Sequence, residues 1–288
     1  MNHLSEIDLH IHTTISDGTC TPEALLGQVK EKGLRLFSVT DHDAIKGCQI
    51  LQGLLGEDDP QFVNGVEFTC RDTEGEFHIL GYDYDPEAEP IRQVIELGHS
   101  YRIRKLVGRL DFLKQAFQVH FPDWDLEQLY ALDNPGKPHI GNLMVKYGYA
   151  NTMEEAIKAY INKVHFPNLF VRPEEAIRGI LNSGGIPVLA HPSFGSGDQL
   201  ILGEEMEQRL LRLMDMGLQG VEAFYSGFTK KLQDEMLGFA KKYDLYVTAG
   251  SDYHGSNKLV ELGDTSMRED TPIPDGMRRF LEKVGYGN

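Results

Sequence analysis

The stretch Asp8-Leu9-His10-Ile11-His12, with Asp17-Gly18 close behind, decides how this chain is read. It ends a short apolar run over residues 5–12 that predicts a first strand. Successive side chains on a strand alternate faces, so His10 and His12 point the same way. Two imidazoles at i and i+2 on one face can grip one divalent ion, and a strand that ends there holds them rigidly. Asp17 falls in the following loop, ahead of a helix that Thr21 caps and Pro22 opens. A strand can also carry paired histidines for packing alone, so the rest of the chain must decide between the two readings.

Working outward, residues 22–32 read as a helix, with Leu25 and Val29 inward and Gly33 as its stop. Residues 36–40 form a second strand that delivers Asp41-His42-Asp43, and a helix follows over 44–55. A third strand, 62–69, carries Glu67, and a fourth, 77–82, carries His78. From about residue 86 to 173 the pattern is helical: 87 to beyond 117, then 125–132, 138–147 and 152–162. The last of these has Thr152 and Glu155 spaced as a capping box. The alternation then resumes. Helices at 173–183, 204–216 and 230–243 lead to strands at 186–190, 220–225 and 245–249, and a final helix spans 275–283. About seven strands alternating with helices predict a parallel sheet with covered faces, an α/β fold close to a β/α barrel. Residues 95–170 read as a helical insertion that caps a barrel formed by 1–94 and 171–288. Trp124 and the stripe Val107, Leu110 and Leu113 read as the insertion's core.

His10, His12, His42, Glu67, His78, His191, Asp252 and His254 all fall near or just past the expected C-terminal end of a strand. In a β/α barrel those ends converge on one face, where active sites sit. The chain has 11 histidines; the five outside this set, His3, His99, His120, His139 and His165, lie off the barrel strands. With Asp17, the set offers more imidazoles and carboxylates than one tetrahedral zinc needs and suits two or three ions. Glu67 is the candidate bridge. Such ions acidify bound water and neutralise charge on a phosphate. Glu222, also at a strand end, reads as a satisfied carboxylate or a support for the ligands and is left outside the set. Neither a G-x-S-x-G elbow nor a Walker loop occurs, so serine-nucleophile and P-loop chemistry have no support.

The net charge is −16, with Asp and Glu at 44 against 28 Lys and Arg. Non-specific binding to duplex nucleic acid or an anionic membrane is therefore disfavoured. No apolar run is long enough to span a bilayer. The N-terminus lacks the basic start and apolar core of a signal peptide. Three widely spaced cysteines, Cys20, Cys48 and Cys70, suggest a reducing cytoplasm. An anionic substrate would need local help from metal ions or a basic cluster. Arg102, Arg104, Lys105, Arg109 and Lys114 gather on the first inserted helix.

The motifs Asp8-Leu9-His10-Ile11-His12, Ser16-Asp17-Gly18, Thr40-Asp41-His42-Asp43, Gly65-Val66-Glu67, His78-Ile79-Leu80-Gly81-Tyr82, Ala190-His191-Pro192 and Ser251-Asp252-Tyr253-His254 occur in an order spanning nearly the whole chain. In them the chain resembles the PHP (polymerase and histidinol phosphatase) superfamily, in its small bacterial metal-dependent phosphoesterase branch. The resemblance implies a distorted seven-stranded barrel with a site for two or three divalent ions, manganese, iron or zinc. One ion would be held by His10, His12, Glu67 and Asp252, a second by Glu67, His78 and His191, and a third by Asp17, His42 and His254. Other members have histidine where this chain has Asp17. Asp41 and Asp43 would orient His42 or cap the next helix. Substrate phosphate would be held by Arg102 and Lys105 and by Lys137 and His139, with lysine at 105 and 137 where the branch has bidentate arginine. The implied activity is hydrolysis of a phosphomonoester by a metal-bridged hydroxide, with Glu67, Asp252 and His254 at the catalytic centre. The substrate would be a nucleoside 3',5'-bisphosphate or a short 5'-phosphorylated single-stranded RNA. The alternatives are a histidinol-phosphate phosphatase and a non-catalytic metal-binding module.

Overall fold

The computed structural model describes residues 6–195, 199–268 and 271–286. Residue 5, the expected start of the first strand, lies outside them. Seven strands pair in chain order: β1 (Ile7–Ile11), β2 (Leu36–Val39), β3 (Gln61–Asp72), β4 (Gly75–Tyr82), β5 (Ile186–Leu189), β6 (Gly220–Tyr225) and β7 (Tyr246–Gly250). The edges approach one another where Asp252 N–H donates to the His10 carbonyl (2.8 Å) and His12 N–H to that of Tyr253 (2.9 Å). The result is a nearly closed barrel. β1, β2 and β5 are buried along their whole length, as strands covered on both faces must be.

The expected all-parallel sheet needs one correction. β4 runs antiparallel to both β3 and β5. Only two residues join β3 to β4, too few for a helical crossover. Asp72 Oδ1 accepts the Glu74 N–H (2.8 Å), and Gly75 takes φ 128°, so the link folds back as a hairpin. His78 therefore reaches the barrel mouth from the first half of its strand, opposite Thr69. Glu67 lies mid-strand, because β3 runs on past the mouth.

Helices α1 (Pro22–Glu31) and α2 (Lys46–Leu54) cover β1 and β2, and α7 (Pro173–Asn182), α8 (Gly203–Asp215), α9 (Lys230–Lys242) and α10 (Asp275–Lys283) cover the rest. The helical stretch between β4 and α7 holds α3 (Glu89–Phe117), which begins before the expected boundary at residue 95, with α4 (Asp123–Ala131), α5 (Lys137–Lys146) and α6 (Met153–Glu155). α3 belongs to two cores. Its Ile91 and Val94 pack with the barrel, whereas Leu106 and Leu113 pack with Leu129, Ile140, Met144 and Ile161. Val107 and Trp124 depart from their expected place in this core: both are exposed, and Trp124 lies under the Lys146 ammonium. The helix expected over 152–162 is shorter. Thr152 caps α6, but the Glu155 carboxylate turns back to the Asn151 N–H (2.8 Å) instead of the Thr152 N–H. The chain then widens into a π-helical turn, Ala156–Tyr160. Among the described residues no helix is long and apolar enough to cross a membrane.

Candidate metal centre and its cavity

The hairpin and the strand ends bring all nine side chains of the sequence-derived set together. Glu67 is at the middle, 1% exposed. Its Oε1 lies 2.7 Å from His78 Nδ1 and 3.2 Å from His191 Nε2. Its Oε2 lies 3.1 Å from His42 Nδ1, 3.2 Å from His12 Nε2 and 3.4 Å from His10 Nε2. Asp252 Oδ1 stands 3.4 Å from His12 Nε2 and 3.3 Å from His254 Nδ1. Asp17 Oδ1 stands 3.3 Å from His254 Nε2.

Three overlapping groups bring their ligand atoms close enough to hold an ion: His12, Asp17, His42 and His254; His10, His12 and Glu67; and His42, Glu67 and His78. The donor chemistry fits divalent cations. His10 Nε2 and His12 Nε2 are buried without a hydrogen-bond partner, and both face carboxylate oxygens. A buried ring nitrogen normally finds a partner, and a cation between imidazole and carboxylate, taking the place of any proton there, supplies one.

The electrostatics agree. Burial pushes the Glu67 carboxyl up, but His78, His42 and His10 together hold it well below the carboxylate range. Asp17 and Asp252 behave likewise, the first through His42 and His254, the second through Lys258 and His10. All three carboxylates are thus kept ionised. Burial and the neighbouring His254 push His12 down to about 4. Burial also disfavours a charged His10, yet Glu222, Glu67 and Asp252 outweigh it and hold that ring well above the usual range.

Backbone geometry aims the ligands. Asp43, His191 and Asp252 have φ of 48°, 28° and 59°, left-handed values that non-glycine residues hold only where the surroundings impose them. The expected roles of Asp41 and Asp43 are replaced. Asp41 accepts from the Thr13 N–H (2.8 Å) and the Ser16 hydroxyl (2.7 Å), fixing the loop that carries Asp17. Asp43 accepts from Arg102 Nε (2.9 Å). The first turn of α2 has no side-chain cap.

Above the metal centre lies a cavity of about 410 Å³. Asp17, His42, Thr69 and His78 form one end, and Arg102, Lys105, Arg109 and Lys137 line its walls. Arg102, Lys105 and Arg109 recur at i, i+3 and i+7, one helix face, and all are buried. Arg104 and Lys114, off that face, are exposed. Lys105 Nζ sits 4.0 Å from the Phe170 ring centroid, and the Arg109 guanidinium lies over Phe166. His139 is not among the lining residues; its Nδ1 accepts the Gly136 N–H (3.0 Å) and so caps its own helix.

Three side chains outside the sequence-derived set, Glu222, Lys258 and Tyr225, touch the centre. Glu222 lies against His10 and His191. Lys258 Nζ (2.5 Å) and the Tyr225 hydroxyl (2.9 Å) both donate to Asp252 Oδ2, leaving Oδ1 toward the histidines. An isolated Glu or Lys without a motif gives no sequence signal of such a role.

Similar proteins share the whole architecture. A solved protein from Bifidobacterium adolescentis, named as a candidate metal-dependent phosphoesterase, superposes with a TM-score of 0.80 at 28% identity, covering 96% of each chain. A 5'-3' exoribonuclease of Haemophilus influenzae is 26% identical over 93% of this chain and 96% of its own length. A 3',5'-nucleoside bisphosphate phosphatase of Chromobacterium violaceum is 26% identical over 93% of both. The PHP domain profile matches residues 8–171. That span runs from the first histidine pair through Glu67 and His78 to the end of the helical stretch, and this chain belongs to the PHP domain family.

Proposed function

We propose that this protein is a metal-dependent phosphoesterase that hydrolyses a phosphomonoester on a small nucleotide-like substrate bearing a second phosphate. A nucleoside 3',5'-bisphosphate or a short 5'-phosphorylated single-stranded RNA fits that description. One observation carries the reading: a single cavity joins a floor of metal-type donors to a wall of buried cations. The relatives named above as a bisphosphate phosphatase and an exoribonuclease support the same substrate class.

His10, His12, Asp17, His42, Glu67, His78, His191, Asp252 and His254 would hold two or three divalent ions (manganese, iron or zinc), with Glu67 shared. Bound there, the ions would supply Lewis-acid charge neutralisation and an acidified water. Residues 95–170 act as the cap. Arg102, braced by Asp43, is placed beside His42 and Asp17 to orient the reacting phosphate. Lys105, Arg109 and Lys137 take the distal one. Three crowded cations in one cavity wall are matched by a polyanion better than by a single phosphate. The acidic chain, at net charge −16, argues against a duplex. The free thiols of Cys20, Cys48 and Cys70 suit a reducing cytoplasm.

The test is phosphate release, with and without Mn²⁺, from nucleoside 3',5'-bisphosphates, nucleoside 5'-monophosphates, histidinol phosphate and a short 5'-phosphorylated RNA. Metal-dependent turnover should favour the doubly charged substrates. A preference for histidinol phosphate would sink the nucleotide reading, and no release from any of them would favour a binding module.

Arg109→Ala should raise KM for a bisphosphate about 10- to 30-fold, the loss of one charge-assisted contact worth about 1.5–2 kcal/mol. KM for a monophosphate should move less than twofold. Equal effects on both would remove the distal phosphate from this wall.

Lys105 gives the pH dependence. Burial, then Arg102, pushes its ammonium down to about 7. The charged form that attracts phosphate is present below that value and is lost as pH rises through it. kcat/KM for a bisphosphate should therefore fall as pH rises through about 7, by about 10- to 30-fold in all, the worth of one such contact. Lys105→Arg should abolish this alkaline limb, because guanidinium stays charged. An unchanged limb in that variant would assign it to another group.

A further inference from the structure

We propose that Glu222 is a positioning residue that fixes His10 and His191 together and sets which ring nitrogen His10 presents to the ions; this rests on the metal-centre reading above. β6 supplies none of the nine candidate ligands, yet its Glu222 is fully buried against two of them. Glu222 Oε1 lies 2.9 Å from His10 Nδ1, and Oε2 accepts the His191 N–H at 2.7 Å. Both Glu222 oxygens act as acceptors here, so the Nδ1 of His10 that faces one of them carries the proton. Nε2 is left as the donor, and it is the atom that is buried without a partner, 3.4 Å from Glu67 Oε2 and 3.6 Å from Asp252 Oδ1. The other oxygen of Glu222 holds the backbone of His191 in its left-handed turn, φ 28°. One carboxylate thus sets one histidine through its ring and the other through its main chain.

A buried carboxylate that is merely satisfied would need no such clearance as β7 provides. A Cβ on Gly250 would fall 2.2 Å from His10 Cβ and 2.5 Å from Glu222 Oε1. Only glycine leaves room for the pair to meet. A hydrogen-bonded Nδ1–H also makes the opposite nitrogen a better metal donor and holds the ring plane.

The variant is Glu222→Gln, which keeps size and removes one acceptor. Chelator competition should show zinc bound about 10- to 100-fold more weakly than in the wild type. Separately, ¹⁵N-histidine NMR of the zinc-loaded wild type should show His10 protonated at Nδ1 and bound through Nε2, with its resonances identified by their loss in His10→Gln. Unchanged zinc affinity in folded Glu222→Gln, or zinc on His10 Nδ1, would overturn the proposal. If the variant does not fold, the wild-type NMR decides alone. A wild type that takes up no zinc, manganese or iron would overturn the metal reading and this inference with it.

Discussion

Glu67→Gln is expected to lower kcat/KM by a factor of about 10³ to 10⁵, or about 4–7 kcal/mol of transition-state stabilisation. Five imidazole nitrogens lie within 3.4 Å of its two oxygens, so no other side chain touches as much of the centre. The amide keeps the volume but carries no charge, and it turns one acceptor into a donor that faces histidines. Ions shared through this carboxylate should be lost first. The measurement is kcat/KM and metal content after saturation with Mn²⁺, with a thermal melt to show that the barrel persists. Activity within tenfold of the wild type would rule Glu67 out as the shared ligand.

Asp8→Ala is expected to cost about 3–5 kcal/mol of stability without touching the cavity. Asp8 is buried in β1 and accepts three backbone N–H groups: Ser251 (2.9 Å) and His10 (3.2 Å) on one oxygen and Gly263 (2.8 Å) on the other. It joins the first strand to the loop after the last, where the barrel closes. Alanine would leave those donors unpaired in a site closed to water, each costing about 1–3 kcal/mol before relaxation. Burial, against these hydrogen bonds, pushes the Asp8 carboxyl up to about 6. Urea unfolding at about pH 8, where the acid is ionised, is the proper comparison. Asp8→Asn, which retains one acceptor, should cost less. A loss under about 1 kcal/mol for alanine would mean that the loop finds other partners.

Much of this site was legible because its ligands sit on short apolar runs, and a run ended by histidine or aspartate reads as a strand reaching a barrel mouth. The sequence also located the helical stretch, because its polar and apolar residues follow a period near 3.6. The reversal of β4 was missed for a physical reason. Asp72-Thr73-Glu74-Gly75 carries hairpin residues, but a β/α rhythm on either side argued for another crossover. Glu222 was set aside because one carboxylate in a strand looks alike whether it is satisfied by chance or placed. Its meaning lies in what β1 and β5 bring to it, across contacts that no local pattern encodes. Arg109 was seen only as one of several basic residues on α3; burial of one helix face separates it from Arg104 and Lys114.

α3 is 29 residues long, about 43 Å of unbroken rod, and it enters both hydrophobic cores. About a third of the way along it, a Cβ on Gly98 would fall 2.7 Å from Asp43 Oδ1, so the rod bears directly on the loop that carries His42. That makes Asp43 the bearing between the beam and the loop that carries His42. An exchange of this helical stretch between relatives would then need the beam intact from residue 89 and glycine kept at the bearing point. A bulkier residue there would press on Asp43 before any substrate arrived.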